Sequence, residues 1–362
     1  MKFLQRFFVL FFFLVIASSQ VNAQSFKKDA GKPKNVILLI GDGMGLAQVH
    51  AAKLTSSTPL NILTSTHMGM MSTHSANNEV TDSGAGGTAI ATGFKTNNGM
   101  IGMTPDSVEV PSMLDIFASK GSSTGVVVSC AVTHATPASF IAKDASRNHY
   151  EDIALDYLNS PVDVVIGGGL KHFNKRKDGR TLTKELELKG FTYYNELPSN
   201  STKGASKLLI LTDSVHPVKM QEGRGKLLPN GTQLALETLG KNTKGFFLMV
   251  EGSQIDWAGH ANDSSYLIAE MRDFDETVGV VLDFLKQNPE TLVIVTADHE
   301  TGGLTFPQGA IKGTYRFAYS SGDHTGIMVP VYAYGAGAGS FTGQYDNTDL
   351  IKKIMEVTGY TK

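Results

Sequence analysis

The sequence predicts an α/β protein in which a doubly wound, mostly parallel central sheet is flanked by helices in a single large domain. Apolar, β-branched runs of five to seven residues recur along the chain, and segments with apolar residues every three or four positions lie between them. The length of 362 residues is ample for a core of this kind. Strands that alternate with helices are typical of parallel sheets.

The predicted strands share continuous apolar character and turn polar or glycine-rich where they end. They are residues 35–40, 125–129, 162–166, 207–211, 245–250, 292–296 and 328–334. Helical periodicity is clearest over 111–119, 266–286 and 348–358. The segment of about 170–244 is richer in Lys, Gly and Asn, holds one good strand, and is predicted to be a small peripheral insertion.

The first 23 residues have the pattern of a signal peptide. Lys2 and Arg6 precede an apolar run over 7–17, and Val21-Asn22-Ala23 ends in the small residue typical of a cleavage site. An eleven-residue run is too short to span a bilayer. We therefore expect residues 24–362 to form an exported domain, periplasmic or secreted, with no stable membrane anchor.

Composition excludes several classes of function. Lys and Arg number 32 against 34 Asp and Glu, so there is no basic excess to recognise nucleic acid as a specific partner. The single cysteine, Cys130, excludes an intramolecular disulfide and a cysteine-rich zinc module. Any metal is therefore expected to be held by histidines and carboxylates.

Polar residues follow several predicted strands at the sheet edge where open α/β sheets bind ligands. They are Asp42, His134, Thr136, Glu251, Asp256, His260, Asp298 and His299, with His324 just before the last strand. Asp256 and His260 are four apart and would share a helix face, although that spacing taken alone favours an ordinary surface pair. Histidines and carboxylates that meet at one sheet edge are suitable ligands for zinc, and a Glu carboxylate with a Thr hydroxyl is a suitable ligand set for magnesium.

A second motif surrounds Ser83 in Thr81-Asp82-Ser83-Gly84, where a helix is predicted to begin. A helix N-terminus favours a phosphate, although capping alone would also explain a serine there. Thr81 stands where the nucleophile elbow of an α/β-hydrolase has glycine, so the sequence disfavours that motif. In Gly41-Asp42-Gly43 the aspartate would repel the pyrophosphate of a dinucleotide, which argues against a dinucleotide-binding fold.

These motifs resemble those of the alkaline phosphatase family, in the family's order, from Asn35 to about Gly335. The resemblance implies two Zn²⁺ and one Mg²⁺. The implied roles are first zinc for Asp256, His260 and His324; second zinc for Asp42, Asp298 and His299; magnesium for Asp42, Thr136 and Glu251; nucleophile for Ser83; and phosphate clamp for Arg147. It also implies an α/β catalytic domain and makes a homodimer possible.

The implied activity is hydrolysis of phosphate monoesters through a phosphoserine. Three divalent cations carry +6, the four ligand carboxylates −4, and a monoester dianion −2, so the assembled site is neutral. Attack by Ser83 and later hydrolysis are two inversions, which give net retention at phosphorus. The Arg147 fork matches two phosphate oxygens.

Two positions depart from the enterobacterial members of the family. His134 replaces an aspartate and Trp257 replaces a lysine, both expected close to the ligands without binding the metals. We expect altered magnesium affinity and phosphate release. The 25-residue interval from His299 to His324 is short for the family. The other six histidines (His50, His67, His74, His149, His172 and His216) are expected to be ordinary surface or core residues.

Two rival functions remain at this stage. A phosphodiesterase or sulfatase of the same superfamily would lack the magnesium ligands or carry a different nucleophile motif, so Glu251 and Thr136 favour a monoesterase. An exported zinc- or phosphate-binding protein explains the ligands but not Ser83 together with Arg147. The physiological ester is not encoded in these motifs, because they read the phosphoryl group.

Overall fold

A ten-stranded sheet runs through the chain in the computed structural model, which describes residues 31–198, 202, 204–308 and 314–360. The predicted signal peptide lies outside the described residues. In chain order the strands of this sheet are β1 Asn35–Gly41, β2 His67–Ser72, β3 Ser123–Ala131, β4 Val164–Gly168, β5 Thr192–Tyr194, β6 Leu208–Leu211, β7 Phe246–Gly252, β8 Thr291–Thr296, β13 Val329–Gly335 and β14 Gly343–Asp346. Along the sheet their order is β14-β2-β13-β8-β1-β7-β3-β4-β6-β5. Two small antiparallel pairs join β9 Glu300–Thr301 to β12 His324–Thr325 and β10 Leu304–Thr305 to β11 Ala318–Tyr319.

Helices cover both faces of this sheet. Their bounds are α1 Leu46–Thr55, α2 Ser83–Thr92, α3 Met113–Ser119, α4 Ala135–Ile141, α5 Tyr150–Asp156, α6 Leu170–Asn174, α7 Leu182–Leu188, α8 Leu227–Leu239, α9 Gln254–His260, α10 Ser264–Gln287 and α11 Asp349–Thr358. The longest, α10, packs on α1, α8, α9 and the sheet. This arrangement confirms the predicted fold class of a mostly parallel, helix-flanked sheet.

The centre of the sheet is parallel and mostly apolar. β1 pairs in parallel with β7 and β8, and β3 pairs in parallel with β7 and β4. Val36 through Ile40 have no exposed surface, as expected of a strand covered on both faces. The seven predicted strands are all present, with ends shifted by at most two residues. β13 is the exception in direction, because it runs antiparallel to both β8 and β2.

The segment 170–244 lies at one end of the same sheet, where it supplies β6 and β5 and covers β3, β4 and β7 with α8. Its loop before α8 is tied to α10 by a buried ion triad. The Arg224 guanidinium contacts the carboxylates of Glu270 and Asp273, with a 2.9 Å contact to Asp273 Oδ2, and all three side chains are at most 2% exposed. Gln254 Nε2 donates to the Pro217 carbonyl at 2.8 Å and holds the same loop. This loop therefore has a defined position beside α9.

Among the helices in the described residues, none combines the length and the apolar composition needed to cross a bilayer.

Candidate metal centre

The carboxyl ends of β8, β1, β7 and β3 lie side by side, because these strands are consecutive in the sheet. Asp42 follows β1, Glu251 ends β7, and Asp298 and His299 follow β8. His134 and Thr136 begin α4 just after β3. Helix α9 adds Asp256 and His260, and β12 adds His324. The sheet edge thus brings together the residues that the sequence predicted as metal ligands.

Three donor atoms converge from α9 and β12. His260 Nε2 and His324 Nε2 each lie 3.4 Å from Asp256 Oδ1 and 3.2 Å from each other. A tetrahedron with edges of about 3.3 Å has its centre about 2.0 Å from each corner, which is the bond length that zinc makes to nitrogen and carboxylate oxygen. The triangle is therefore one face of a zinc-sized tetrahedron with its fourth corner open.

Backbone carbonyls orient both histidines of this triangle. The Nδ1–H of His260 donates to the Gly322 carbonyl at 2.7 Å, and that of His324 donates to the Thr81 carbonyl at 2.8 Å. A carbonyl accepts only from a protonated nitrogen, so Nδ1 is the donor in each ring and Nε2 is the nitrogen left to bind a metal. The two rings are oriented in advance to bind a metal through Nε2.

A second donor set surrounds His299 Nε2. Asp42 Oδ1 lies 3.3 Å and Asp298 Oδ2 3.5 Å from this nitrogen, and Ser83 Oγ lies 3.2 Å from it. All four side chains are buried. These separations again match the edges of a tetrahedron around zinc, with the serine hydroxyl at one corner. Ser83 is thus held at the edge of a predicted metal position.

Asp82 places Ser83 at the first position of α2. Its carboxylate caps the helix by accepting from the Ala85 N–H at 2.9 Å and also accepts from the Gly99 N–H at 3.0 Å. The helix can approach the metal donors because it is rich in glycine: a Cβ on Gly86 would stand 3.0 Å from the Asp298 carbonyl oxygen. Local capping and close packing together aim the serine at the donor cluster.

Arg147 is anchored to the same cap. Its Nη1 donates to Asp82 Oδ2 at 2.9 Å, and its Nη2 lies 3.5 Å from His134 Nε2. The main-chain N–H of Arg147 donates to the Gly99 carbonyl at 2.7 Å, which fixes the loop. Through Asp82 the guanidinium is coupled to the residue next to Ser83, although that aspartate was not singled out from sequence.

A third group of side chains surrounds Glu251. Thr136 Oγ1 lies 3.5 Å from Asp42 Oδ2, and Thr136 is also among the groups that lower the pKa of Glu251 against the effect of burial. On its other side, Glu251 Oε2 lies 3.5 Å from Cys130 Sγ. The sequence predicted Asp42, Thr136 and Glu251 as neighbours, but the only cysteine carried no signal that it would join them.

Burial without counter-charge dominates the electrostatics of these carboxyls. Burial, followed by the charges of Asp298 and Asp256, raises the pKa of Asp42 well above its usual range. Burial also raises the pKa of Glu251 and of Asp298, each to about 7. Each of these carboxylates has one oxygen without a hydrogen-bond partner among the described residues: Asp42 Oδ1, Glu251 Oε1 and Asp298 Oδ2. Bound cations would relieve both the desolvation and the repulsion, so these residues fit divalent metals.

His134 and Trp257 lie beside the cluster together with a residue that was not predicted there. The His134 ring stands 6.0 Å from the Trp257 ring and 5.8 Å from His216, and the last two rings are 4.8 Å apart, all edge to face. His216 Nδ1 accepts from the Ala131 N–H at 3.1 Å. His216 was expected to be ordinary, and no local pattern could have revealed its place, because a distant loop brings it in.

The chain is similar in sequence to known alkaline phosphatases. The sequence profile of the alkaline phosphatase family matches residues 33–320. Alkaline phosphatase 4 of Bacillus subtilis is 33% identical, with 92% of this chain and 91% of that protein covered.

Solved structures give the same result. The alkaline phosphatase of the Antarctic bacterium TAB5 is 40% identical, with a TM-score of 0.87 and coverage of 91% of this chain and 100% of that one. A His-to-Asp mutant of the TAB5 enzyme with Mg bound in the M3 site is also 40% identical, with a TM-score of 0.89 over 92% of this chain and 99% of that one.

Proposed function

The chain belongs to the alkaline phosphatase family, and from this premise we propose that Ser83 is the nucleophile of its phosphomonoester hydrolase activity. The family is metal-dependent, and its general reaction is hydrolysis of phosphate monoesters. The observation that carries the proposal is the 3.2 Å contact between Ser83 Oγ and His299 Nε2 inside a zinc-sized set of donors.

In the proposed reaction Ser83 Oγ attacks phosphorus, the ester oxygen leaves with the alcohol, and a phosphoserine remains. Bound divalent cations supply Lewis acidity at the nucleophile, the leaving oxygen and the attacking water. Water then displaces the serine and releases inorganic phosphate. The cap by Asp82 keeps the hydroxyl at the start of α2, where backbone N–H groups and the helix dipole favour the phosphoryl oxygens.

Arg147 is proposed to hold two non-bridging phosphate oxygens through its guanidinium. Asp82 accepts from Nη1 and leaves the opposite edge of the fork to the substrate. His134 and Trp257 lie close together beside this site, where we propose that they tune cation binding and phosphate release without being ligands of the three catalytic cations.

We propose three cation positions. Two take zinc, at the Asp256–His260–His324 triangle and at the Asp42–Asp298–His299 set. The third, between Asp42, Thr136 and Glu251, is the position for which family membership leads us to propose Mg²⁺, since oxygen donors suit it. The same proposal assigns residues 1–23 as a signal peptide and residues 24–362 as the exported catalytic domain with a peripheral 170–244 segment, and it is compatible with either a homodimer or a monomer.

The proposal is tested with Ser83→Ala and a matched control. Ser264 begins α10 after the capping residue Asp263, as Ser83 begins α2 after Asp82, but it lies outside the donor sets. Ser83→Ala should reduce hydrolysis of p-nitrophenyl phosphate by several powers of ten with zinc content unchanged, because only the nucleophile is lost. Ser264→Ala should hydrolyse the ester at nearly the parental rate.

Acid quenching of a steady-state reaction should trap one phosphoryl group on Ser83. A substrate panel of the monoester, the corresponding diester and the sulfate ester separates this function from its rivals. Equal turnover by Ser83→Ala and the parent would refute the assignment, and metal binding without any turnover would favour a binding protein.

A further inference from the structure

We propose that Cys130, His134 and Glu251 form an additional cation position beside the three proposed above. It contains a sulfur ligand, takes zinc, and shares Glu251 with the third cation site. The two positions overlap at one carboxylate, so zinc and magnesium would compete there. This inference rests on the proposed function only for the location of the third site.

The geometry places a thiol where a zinc ligand would be. Cys130 Sγ lies 3.5 Å from Glu251 Oε2, and a ring nitrogen of His134 lies within 4.8 Å of both ligand atoms. A tetrahedral zinc with bonds of about 2.3 Å to sulfur and 2.0 Å to oxygen separates those two donors by about 3.5 Å.

Strand β3 is irregular at the position of this thiol. Its pairing with β4 shifts register between Val127 and Ala131, which is where a bulge re-aims successive side chains. Ser129 Oγ then faces the Glu251 carbonyl at 3.4 Å while Cys130 Sγ faces the Glu251 carboxylate. The irregularity therefore turns two consecutive side chains toward the same residue of β7.

Unpaired buried donors point to a ligand at this position. His134 is 8% exposed and Glu251 is fully buried, yet His134 Nδ1 and Glu251 Oε1 have no hydrogen-bond partner among the described residues. Two unsatisfied polar atoms next to a fully buried thiol are costly unless a cation occupies the space between them. A thiolate and a carboxylate together neutralise one divalent ion, and the thiol proton passes to solvent on binding.

The donor set selects the metal. Sulfur and nitrogen donors suit zinc and cobalt, whereas magnesium requires oxygen donors and ordered water. Thr136 and Asp42 lie on the other side of Glu251 and provide the oxygen-rich alternative. Zinc bound through His134 would also draw that ring from Arg147 Nη2, 3.5 Å away, and so disturb the phosphate clamp. We therefore expect excess zinc to inhibit and magnesium to reverse the inhibition.

Cobalt tests the proposal, because thiolate ligation produces a sulfur-to-cobalt charge-transfer band in the near ultraviolet. Cys130 is the only cysteine in the chain, so such a band has one possible source. The mature protein is stripped, reloaded with two equivalents of zinc, and titrated with Co²⁺. The band should rise to one further equivalent, and magnesium at about 100 times its dissociation constant should raise the apparent Kd for cobalt about 100-fold.

Variants assign the band. Cys130→Ser and Cys130→Ala should abolish it while circular dichroism stays unchanged, and Ser129→Ala, which alters the neighbouring contact to Glu251 but keeps the thiol, should retain it. The parental spectrum needs no variant, so a misfolded substitution leaves the test intact. A third cobalt ion that binds without the band, or a band insensitive to magnesium, would overturn the proposal.

Activity distinguishes this proposal from the function on which it rests. Ser83→Ala should lose monoester hydrolysis and still develop the cobalt band. A parent that shows the band without any hydrolysis would refute the phosphatase mechanism alone, whereas hydrolysis with no band would refute the cysteine site alone.

Discussion

Stripping the metals should make the stability of this protein fall as the pH rises from 6.5 to 9. Burial raises the pKa of Asp42 well above its usual range and those of Glu251 and Asp298 to about 7, and the hydrogen bond to Asp256 raises the pKa of His260 to about 9. Groups with raised pKa values hold protons in the folded state that the unfolded chain has released. Stability therefore decreases with pH throughout this window.

The size of the effect follows from the proton count. Near pH 7.5, His260 with a pKa of about 9 retains most of a proton, and Glu251 and Asp298, each with a pKa of about 7, retain a fraction of one, so these three groups give the folded state roughly 1.5 more protons than the unfolded chain. This difference gives about 2 kcal/mol per pH unit. The His260 side chain is 36% exposed, and solvent screening reduces the figure to about 1.5 kcal/mol.

Groups with the opposite effect act mainly at the acidic end of this window. Burial lowers the pKa of His134 to about 3 and that of His299 well below its usual range, so these rings destabilise the folded state as the pH falls toward 6.5 and below, where the unfolded chain takes up protons. From about pH 7.5 upward they are largely neutral in both the folded and the unfolded states. An unfolding entropy of about 0.7 kcal/mol/K for a chain of this size converts about 1.5 kcal/mol into roughly 2 °C per pH unit.

Scanning calorimetry of stripped and zinc-loaded protein at pH 6.5, 7.5 and 8.5 measures the slope. The loaded protein should melt higher and show little dependence on pH, because the cations hold the carboxylates ionised. Asp298→Asn should flatten the slope of the stripped form. Identical midpoints for stripped and loaded protein, or parallel curves, would refute the reasoning that these residues share one cation site.

Three further predictions concern the backbone, the third cation and the buried triad. Gly43→Ala should lower zinc affinity at least tenfold, because at φ +70 a Cβ would stand 2.6 Å from Thr301 Oγ1. The control Gly179→Ala, at φ +72 with no atom within 4 Å of the added Cβ, should lower the free energy of unfolding by about 1 kcal/mol and leave zinc titrations unchanged. His134→Asp should tighten magnesium binding in zinc-reconstituted protein, since a carboxylate holds the hydrated cation better, and equal affinities by calorimetric titration would show that this position does not tune the site. Arg224→Met should reduce the free energy of unfolding in urea by about 3–5 kcal/mol at pH 8, because it leaves two buried carboxylates unpaired, and by less at pH 5.5, since burial raises the pKa of Asp273 to about 6; a loss under 1 kcal/mol would contradict a structural role for the triad.

The central strands could be predicted from sequence because burial on both faces leaves a continuous apolar signature, as in Asn35–Gly41. Three outer strands carry no such signature. His67–Ser72 is rich in Met, Gly and Ser, Gly343–Asp346 is half polar, and Thr192–Tyr194 has three residues, so each depends on its neighbours for strand conformation.

The site shows the same division between local and distant causes. Asp42 and Asp298 directly follow apolar strands, so their place at the sheet edge could be predicted. His216 could not, because its position depends on Arg224 and Gln254 holding a loop from another part of the chain. Cys130 needed the register shift within β3, which leaves no mark in the sequence.

The position of β1 between β7 and β8 has a consequence for how this protein reaches its folded state. Val36 pairs with Phe247 on one side and Leu292 on the other, so both partners lie more than 200 residues further along the chain. Closing such large loops is entropically unfavourable, and topologies dominated by distant contacts fold slowly. The first strand stays without its partners until most of the polypeptide has been synthesised. The central sheet of a nascent chain can therefore form only after the residues up to β8 have been synthesised.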